Sequence, residues 1–341
     1  MFLNDNHFSG PLPSSFRNLT SLESLDLGSN QISGRIPESI EGMINLQYLY
    51  LGNNFITGQL PENIGNMKQL KYLDLSDNLL RRRIPPSIGN LKFLTKIILE
   101  NNLLGETISS SIGYLTSLET LSIGHNQIEG GIPVSIGNLT SLGLLDLSWN
   151  RLSGRVPSRI GRLQSLAMLR IQHNMIEGPM PEEMSSIRTL RQLYLSFNPL
   201  NLSFIPNWLI DWPSLISIHL AGCGIQGDFP EYIKTAADRW ESLDLSANNL
   251  TGRIPEWLGN FKLNSLNLSH NSLSSEIPAT FKNLKNMRDL DLHSNRLSGD
   301  WQVPLPLGHQ ADNVSHNQLT GYSAGICQEF DATFCAGFES Q

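Results

Sequence analysis

The stretch Leu145-Asp-Leu-Ser-Trp-Asn-Arg-Leu-Ser-Gly-Arg-Val-Pro157 decides the fold, because the chain keeps rewriting it. The same phrase returns at Leu25–Pro37, Leu49–Pro61, Leu121–Pro133, Leu169–Pro181 and Leu243–Pro255. Its asparagine falls at Asn6, Asn30, Asn54, Asn78, Asn102, Asn126, Asn150, Asn174 and Asn198, always 24 residues apart. Cys223 then takes the slot, and the series resumes at Asn248, Asn271, Asn295 and Asn317. That is about 14 turns of one unit, and self-similarity at this spacing means a solenoid.

Each unit opens on Leu-x-Leu, a period-2 pattern that turns two leucines inward and the residue between them outward. The pattern predicts a short strand, with successive strands stacked in parallel about 4.8 Å apart. The rest of each 24-residue coil supplies the crossover that parallel pairing needs. The asparagine amide has two donors and an acceptor, enough to satisfy backbone groups at the sharp turn after the strand. Stacked coil on coil, these amides predict a ladder of buried but paired polar groups, with Cys223 filling its slot through fewer hydrogen bonds. Gly and Ile-Pro then punctuate the turn. Segments such as Ser87–Leu91 and Ser135–Leu139 suit a short helical turn on the return path.

No coil buries its leucines alone, so stability comes from stacking and the terminal coils need caps. Met1-Phe2-Leu3 opens inside a repeat, which reads as a truncated start. Leu3, Phe8 and Leu12 are then expected to face solvent at an open edge. No secretion signal is legible at Met1.

Leu-x-x-Leu-x-Leu-x-x-Asn-x-Leu-x-Gly-x-Ile-Pro resembles the plant-type leucine-rich repeat, as found in receptor-like kinases, receptor-like proteins and secreted polygalacturonase-inhibitor-like proteins. The match covers residues 1 to about 321, with 322–341 as a tail or partial cap. The resemblance implies an α/β solenoid: a right-handed superhelix with a concave parallel β-sheet and a lateral second strand. It also implies a glycosylated, extracellular or plasma-membrane-attached recognition module. Such a module binds a peptide, small ligand or protein on its concave face and leaves a flank for a co-receptor. A secreted inhibitor of cell-wall-degrading enzymes is the alternative. The family's disulfide caps imply a Cys327–Cys335 clamp on the last coil; two unpaired thiols are the other reading.

A net charge of −7 and a pI near 5.6 argue against non-specific nucleic-acid binding. No apolar run is long enough to span a bilayer. No phosphate-cradling glycine loop, His-Glu-x-x-His or Cys-x-x-Cys is present, so neither catalysis nor a cofactor is expected. Glu182-Glu183 reads as a solvated face. Six sequons occur, at Asn18, Asn138, Asn201, Asn249, Asn267 and Asn313, a number that composition alone could produce, so position matters more. Asn18 and Asn138 fall on the return path. Asn267 falls outward on a strand, where a glycan would close part of the concave face.

That face is where recognition is expected, since its outward side chains are free of the packing pattern. The column before the asparagine runs Ser29, Asn53, Asp77, Asn101, then His125, Trp149, His173, Phe197, then Gly222, Ala247, His270, Ser294. Four ring-bearing residues on consecutive coils form a strip, flanked by Asp146, Arg170, Tyr194 and His219. Aromatic and Arg side chains are common anchors of interfaces. The bland reading is a variable column whose rings stack for modest stability. The functional reading predicts that Trp149→Ala together with Phe197→Ala abolishes partner binding. A regular ice-binding surface would want small polar residues, which the uneven strip does not offer.

A second patch comprises Tyr48, Tyr50, Tyr72 and Ile98, with Asp74 and Glu100. Arg81-Arg82-Arg83 places Arg82 where a turn glycine is expected, on the lateral segment: a basic docking patch or a solvated charge run. Glu106 and Ser109 also displace the usual Gly and Pro, predicting an irregular flank. Trp208, Trp212 and Trp240 cluster near the longer ninth and tenth coils, as bulge-filling rings or as a lateral docking site. His125, His173, His219, His270 and His293 point into the concavity. No metal is expected, because Trp149 separates His125 from His173, but acidic partners are expected to bind more tightly at lower pH.

Overall fold

The structure, a computed structural model, describes residues 1–300 and 313–320. The chain divides into two compact units, Met1–Leu190 and Arg191–Gln341.

In the first unit, seven three-residue strands form parallel pairs: Ser24–Asp26, Tyr48–Tyr50, Tyr72–Asp74, Lys96–Ile98, Thr120–Ser122, Leu144–Asp146 and Met168–Arg170. Their register never slips. Leu25 opposes Leu49, then Leu73, Ile97, Leu121, Leu145 and Leu169 follow in line. A constant register puts every central leucine on the core face, and all of these are essentially inaccessible to solvent. A lateral second strand accompanies most coils. Ser9–Pro11, Gln31–Arg35, Phe55–Gly58, Leu79–Arg82 and Leu103–Leu104 pair in order, and Glu129–Gly130, Arg151–Gly154 and Met175–Ile176 form a separate set. An isolated bridge, Thr107 to Glu129, and a hydrogen bond from Gln127 N–H to Leu104 O (2.7 Å) span the break between the sets. The break falls at the irregular flank that Glu106 and Ser109 predict.

The return segments are single 3₁₀ turns such as Pro86–Asn90, Ser110–Tyr114 and Val134–Asn138; no α-helix occurs among the described residues. Their glycine is set by neighbour distance. A Cβ on Gly65 would sit 2.1 Å from the Ser87 carbonyl oxygen of the next coil, and one on Gly89 would sit 2.4 Å from that of Ser111. Side-chain-free positions let adjacent return paths approach closely enough to match the strand spacing.

The asparagine ladder is present. Asn54 Nδ2 donates to the carbonyls of Leu27 (3.0 Å), Leu51 (3.1 Å) and Gly52 (3.1 Å), while its Oδ1 accepts from Ile32 N–H (2.9 Å). One side chain therefore closes the turn of its own coil and ties down the coil before it. Asn78, Asn102, Asn150 and Asn174 repeat the arrangement.

The expected open edge needs correcting. Leu12 is buried and Leu3 half-buried; of the three residues, only Phe8 is exposed. Met1–Leu3 lies along the next strand, with Leu3 N–H donating to Asp26 O at 2.8 Å, so the first residues act as an extra strand.

In the second unit, Gln192–Tyr194, Ser217–His219, Ser242–Asp244, Ser265–Asn267 and Asp289–Asp291 stack with Leu193, Ile218, Leu243, Leu266 and Leu290 in line. Cys223 holds its ladder slot with a buried thiol 3.5 Å from Leu195 O. Burial, the largest influence, pushes this thiol's pKa up to about 12, which leaves it an inert filler. The longer coil bulges through Asn201 and Ser203, both with positive φ. Trp212 and Trp240 are buried, and Trp208 is half-buried against Trp212 at 5.1 Å. Their burial leaves Trp212 and Trp240 no part in a docking surface.

Candidate recognition surface

The column before the asparagine has one backbone conformation. Ser29, Asn53, Asp77, Asn101, His125, Trp149 and His173 in the first unit all have φ between 51° and 55°. So do residues of this column in the second unit, with Phe197 at 56° and Ala247, His270 and Ser294 close by. This left-handed turn swings the chain from strand to lateral segment, and it favours Gly, Asn or Asp. Asn53, Asp77 and Asn101 comply. Histidine is also enriched there, so His125 and His173 fit, and Trp149 is the bulky residue that this backbone penalises.

These rings stack. The His125 and Trp149 centroids lie 5.3 Å apart with planes 15° off parallel, and Trp149 and His173 lie 3.6 Å apart at 18°. Trp149 is nonetheless 46% exposed. Both faces of its indole are covered by imidazoles, so the exposed part is its rim. Burial foremost, and the neighbouring His125 second, hold the pKa of His173 below the ordinary imidazole range. His173 thus resists charging, so it contributes little to the expected weakening of negative potential at low pH.

Beside the stack, Arg170 Nη1 lies 3.4 Å from Asp146 Oδ2. The Asp146 carboxylate is nearly buried and also accepts from Ser148 N–H (3.0 Å) and Ser148 Oγ–H (2.6 Å). Asp146 thus aims Arg170 along the strand face. Gln172 Oε1 is buried there without a hydrogen bond.

The seven expected contact residues divide between the units: His125, Trp149, Arg170 and His173 on the first, Tyr194, Phe197 and His219 on the second. On the second, Phe197 is exposed, while Tyr194 stacks on His219 at 4.4 Å. His219 is held by Ser217 Oγ (3.1 Å) and Asp244 (3.7 Å). Burial acts to raise the pKa of Asp244, but hydrogen bonds from His219 and Ser246 outweigh it and hold the carboxyl below its ordinary range.

In the second patch, Tyr50 and Tyr72 pack at 4.7 Å and Lys96 Nζ lies 5.7 Å over the Tyr72 ring. Tyr48 is exposed and Ile98 half-buried. Asp74 is engaged by Ser76, and Glu100 accepts from Ser122 Oγ at 2.7 Å, so both carboxylates serve the sheet itself. Arg81, Arg82 and Arg83 are exposed, and Arg83 pairs with Glu62 at 3.2 Å.

Of the sequons, Asn18, Asn138, Asn201 and Asn249 are exposed. Asn267 and Asn313 are half-buried, each accepting from N–H and Oγ–H of the serine two residues on. Both repeat the role of Asp146, a turn-closing acceptor on the strand face. Cys327 and Cys335 lie outside the described residues. The sequence reading missed the backbone strain, although Asn53, Asp77, Asn101 and Gly222 in one column signal a left-handed position. It also missed a cluster joining His270, His293 and Asp291.

Stacked parallel strands, an asparagine ladder and a face of unconstrained side chains define a leucine-rich-repeat scaffold. The chain belongs to the leucine-rich-repeat family: residues 57–151 match the leucine-rich repeat region, 1–56 and 239–297 match a leucine rich repeat, and 141–163 match another. Receptor-like protein 6 of Arabidopsis thaliana is 40% identical over 107 residues, 31% of this chain. The chain spans only 10% of that relative's length. Among solved structures, the plant peptide hormone receptor RGFR1 in complex with RGF2 matches 99% of this chain with a TM-score of 0.85 at 31% identity. The Arabidopsis receptor kinase HAESA, in complex with the peptide hormone IDA and the co-receptor SERK1, matches 96% with a TM-score of 0.68 at 30% identity. The chain covers 58% and 63% of those two structures respectively.

Proposed function

We propose that this chain is the non-catalytic recognition part of a plant receptor ectodomain, at the cell surface, and that it meets a peptide on the strand face of its first unit. His125, Trp149 and His173 are the contact centre, and Arg170 lies alongside. The similarity to RGFR1 and HAESA supports the class of partner, since both structures hold peptide hormones. HAESA also supports a co-receptor on the flank.

The observation that carries the reading is the left-handed backbone under the rings. A bulky residue there costs about 1–2 kcal/mol. Two stacking contacts return about 0.5–1.5 kcal/mol each. For Trp149 the two terms are of similar size, so the stack offsets the strain, and a bulky residue held on such a backbone is a feature that collects at functional sites. His125 and Trp149 are exposed, so both present ring surface to a peptide lying along the strand face.

The test is a random peptide library displayed on phage and panned on the whole chain. Peptides so selected should lose roughly 30-fold in affinity on Trp149→Asn, as expected of an interface anchor. Asparagine keeps the left-handed turn, so the variant should melt within a few degrees of the parent. Selected peptides that bind parent and variant alike would place recognition elsewhere.

A further inference from the structure

We propose that His270 and His293, on the strand face of the second unit, form a two-imidazole site for a divalent copper ion, with Asp291 as the residue that positions His293. The Nε2 atoms of His270 and His293 lie 2.8 Å apart. The His293 Nδ1 lies 2.5 Å from Asp291 Oδ1. The rings meet nearly perpendicular, with centroids 4.4 Å apart and planes at 80°. His270 is exposed and the His293 side chain is 20% exposed, so the converging nitrogens are reachable from solvent.

The hydrogen bonding fixes the tautomers. Asp291 accepts the proton on His293 Nδ1, which leaves His293 Nε2 with its lone pair outward. The short Nε2–Nε2 approach then needs a proton donated by His270. A metal ion replaces that bridging proton: His270 moves its proton from Nε2 to Nδ1, both imidazoles stay neutral, and no net proton is released. A carboxylate on the distal nitrogen of a ligating histidine orients the ring and raises its basicity.

Distance selects the metal. Two nitrogens about 2.0 Å from one ion and at right angles to each other lie about 2.9 Å apart, whereas a tetrahedral ion holds them about 3.3 Å apart. The 2.8 Å set by the shared proton is already the spacing of adjacent corners of a square or tetragonal site, so Cu²⁺ or Ni²⁺ would need the least movement of the rings. Copper binds nitrogen sites more tightly of the two. Among the described residues these two imidazoles are the protein ligands proposed, and the remaining positions would be filled by water or by a donor from a bound partner.

The sequence reading expected no metal because it weighed His125 against His173, which Trp149 separates. His270 and His293 occupy neighbouring columns on successive coils, a diagonal pairing that no single column displays.

The experiment is titration of the whole untagged chain with Cu²⁺ alone at neutral pH, by calorimetry and by electron paramagnetic resonance. One copper per chain should bind at a site whose spectrum shows two imidazole nitrogens. His270→Ala and His293→Ala should each weaken it at least tenfold, Asp291→Asn by about 10- to 100-fold. His7→Ala should leave it unchanged. A parent spectrum without imidazole coupling, or equal affinity in parent and His270→Ala, would overturn the site. The spectrum of the parent decides the matter even if a variant misfolds.

Discussion

The indole of Trp149 lies 3.6 Å from the imidazole of His173, close to face-to-face, on two adjacent coils of the first unit. Burial first, and the neighbouring His125 second, favour the neutral imidazole of His173. Its pKa in the folded protein is therefore lowered. In the unfolded chain His173 takes up its proton near the ordinary value of about 6.5, before the folded form does. The stack's contribution is complete above that pH and fades as pH falls through and below it. Proton NMR should give His173 a titration midpoint below that of an exposed imidazole. A midpoint above 6.5 would refute the assignment.

Low pH should accordingly strengthen binding of acidic peptides only modestly. His173 gains charge late, because burial foremost and His125 second lower its pKa. Affinities of an acidic and a neutral peptide at pH 5.5 and 7.5 should differ by less than about tenfold in their pH response. A larger response would mean that other groups set the potential.

Asn54→Ala should cost about 1–3 kcal/mol, the cost of one buried unsatisfied group. It strands the Ile32 N–H, while the Leu27 and Leu51 carbonyls each keep a second donor, Asn30 and Asn78. Urea unfolding would measure it. A loss under about 1 kcal/mol would show that the Ile32 N–H finds another partner.

Arg82→Gly should stabilise the first unit by up to about 1 kcal/mol. Arg82 has φ +66° at a position where Gly34, Gly58 and Gly154 sit in neighbouring coils with similarly positive φ. Glu106→Gly, with φ +59°, should act in the same direction. Thermal melts of both variants check this, and a lowered melting temperature in each would contradict it.

Gly89→Ala should destabilise by about 1–3 kcal/mol, since the new methyl would lie 2.4 Å from the Ser111 carbonyl oxygen. Ser87→Ala is the control. Its hydroxyl donates to Glu62 O in an exposed setting, so it should cost under 1 kcal/mol.

The fold was legible because each coil repeats its own solution, an apolar strand followed by an asparagine that closes the turn. Cys223 was legible as a substitute for the same reason. What escaped depended on distances between coils. The return path reads as a helical turn, but the Gly65 and Gly89 contacts are between neighbours and have no trace in one coil's pattern. Leu12 read as solvent-facing because the pairing of Met1–Leu3 with the following strand is not encoded locally. On the candidate surface, the ring strip was visible as a column. Its backbone strain was present only in the asparagines, aspartate and glycine of the coils around it. Asp146 as the anchor of Arg170, and Asn267 as an internal acceptor, required the turn geometry.

The left-handed column also bears on how such a surface changes over generations. Random substitution there is pushed toward glycine, asparagine or aspartate, since these relieve the chain, and the leucine spine beneath is indifferent to the exchange. Of the first unit's rings, the indole at 149 is the occupant whose exchange would relieve the chain most, with no disturbance to the solenoid beneath.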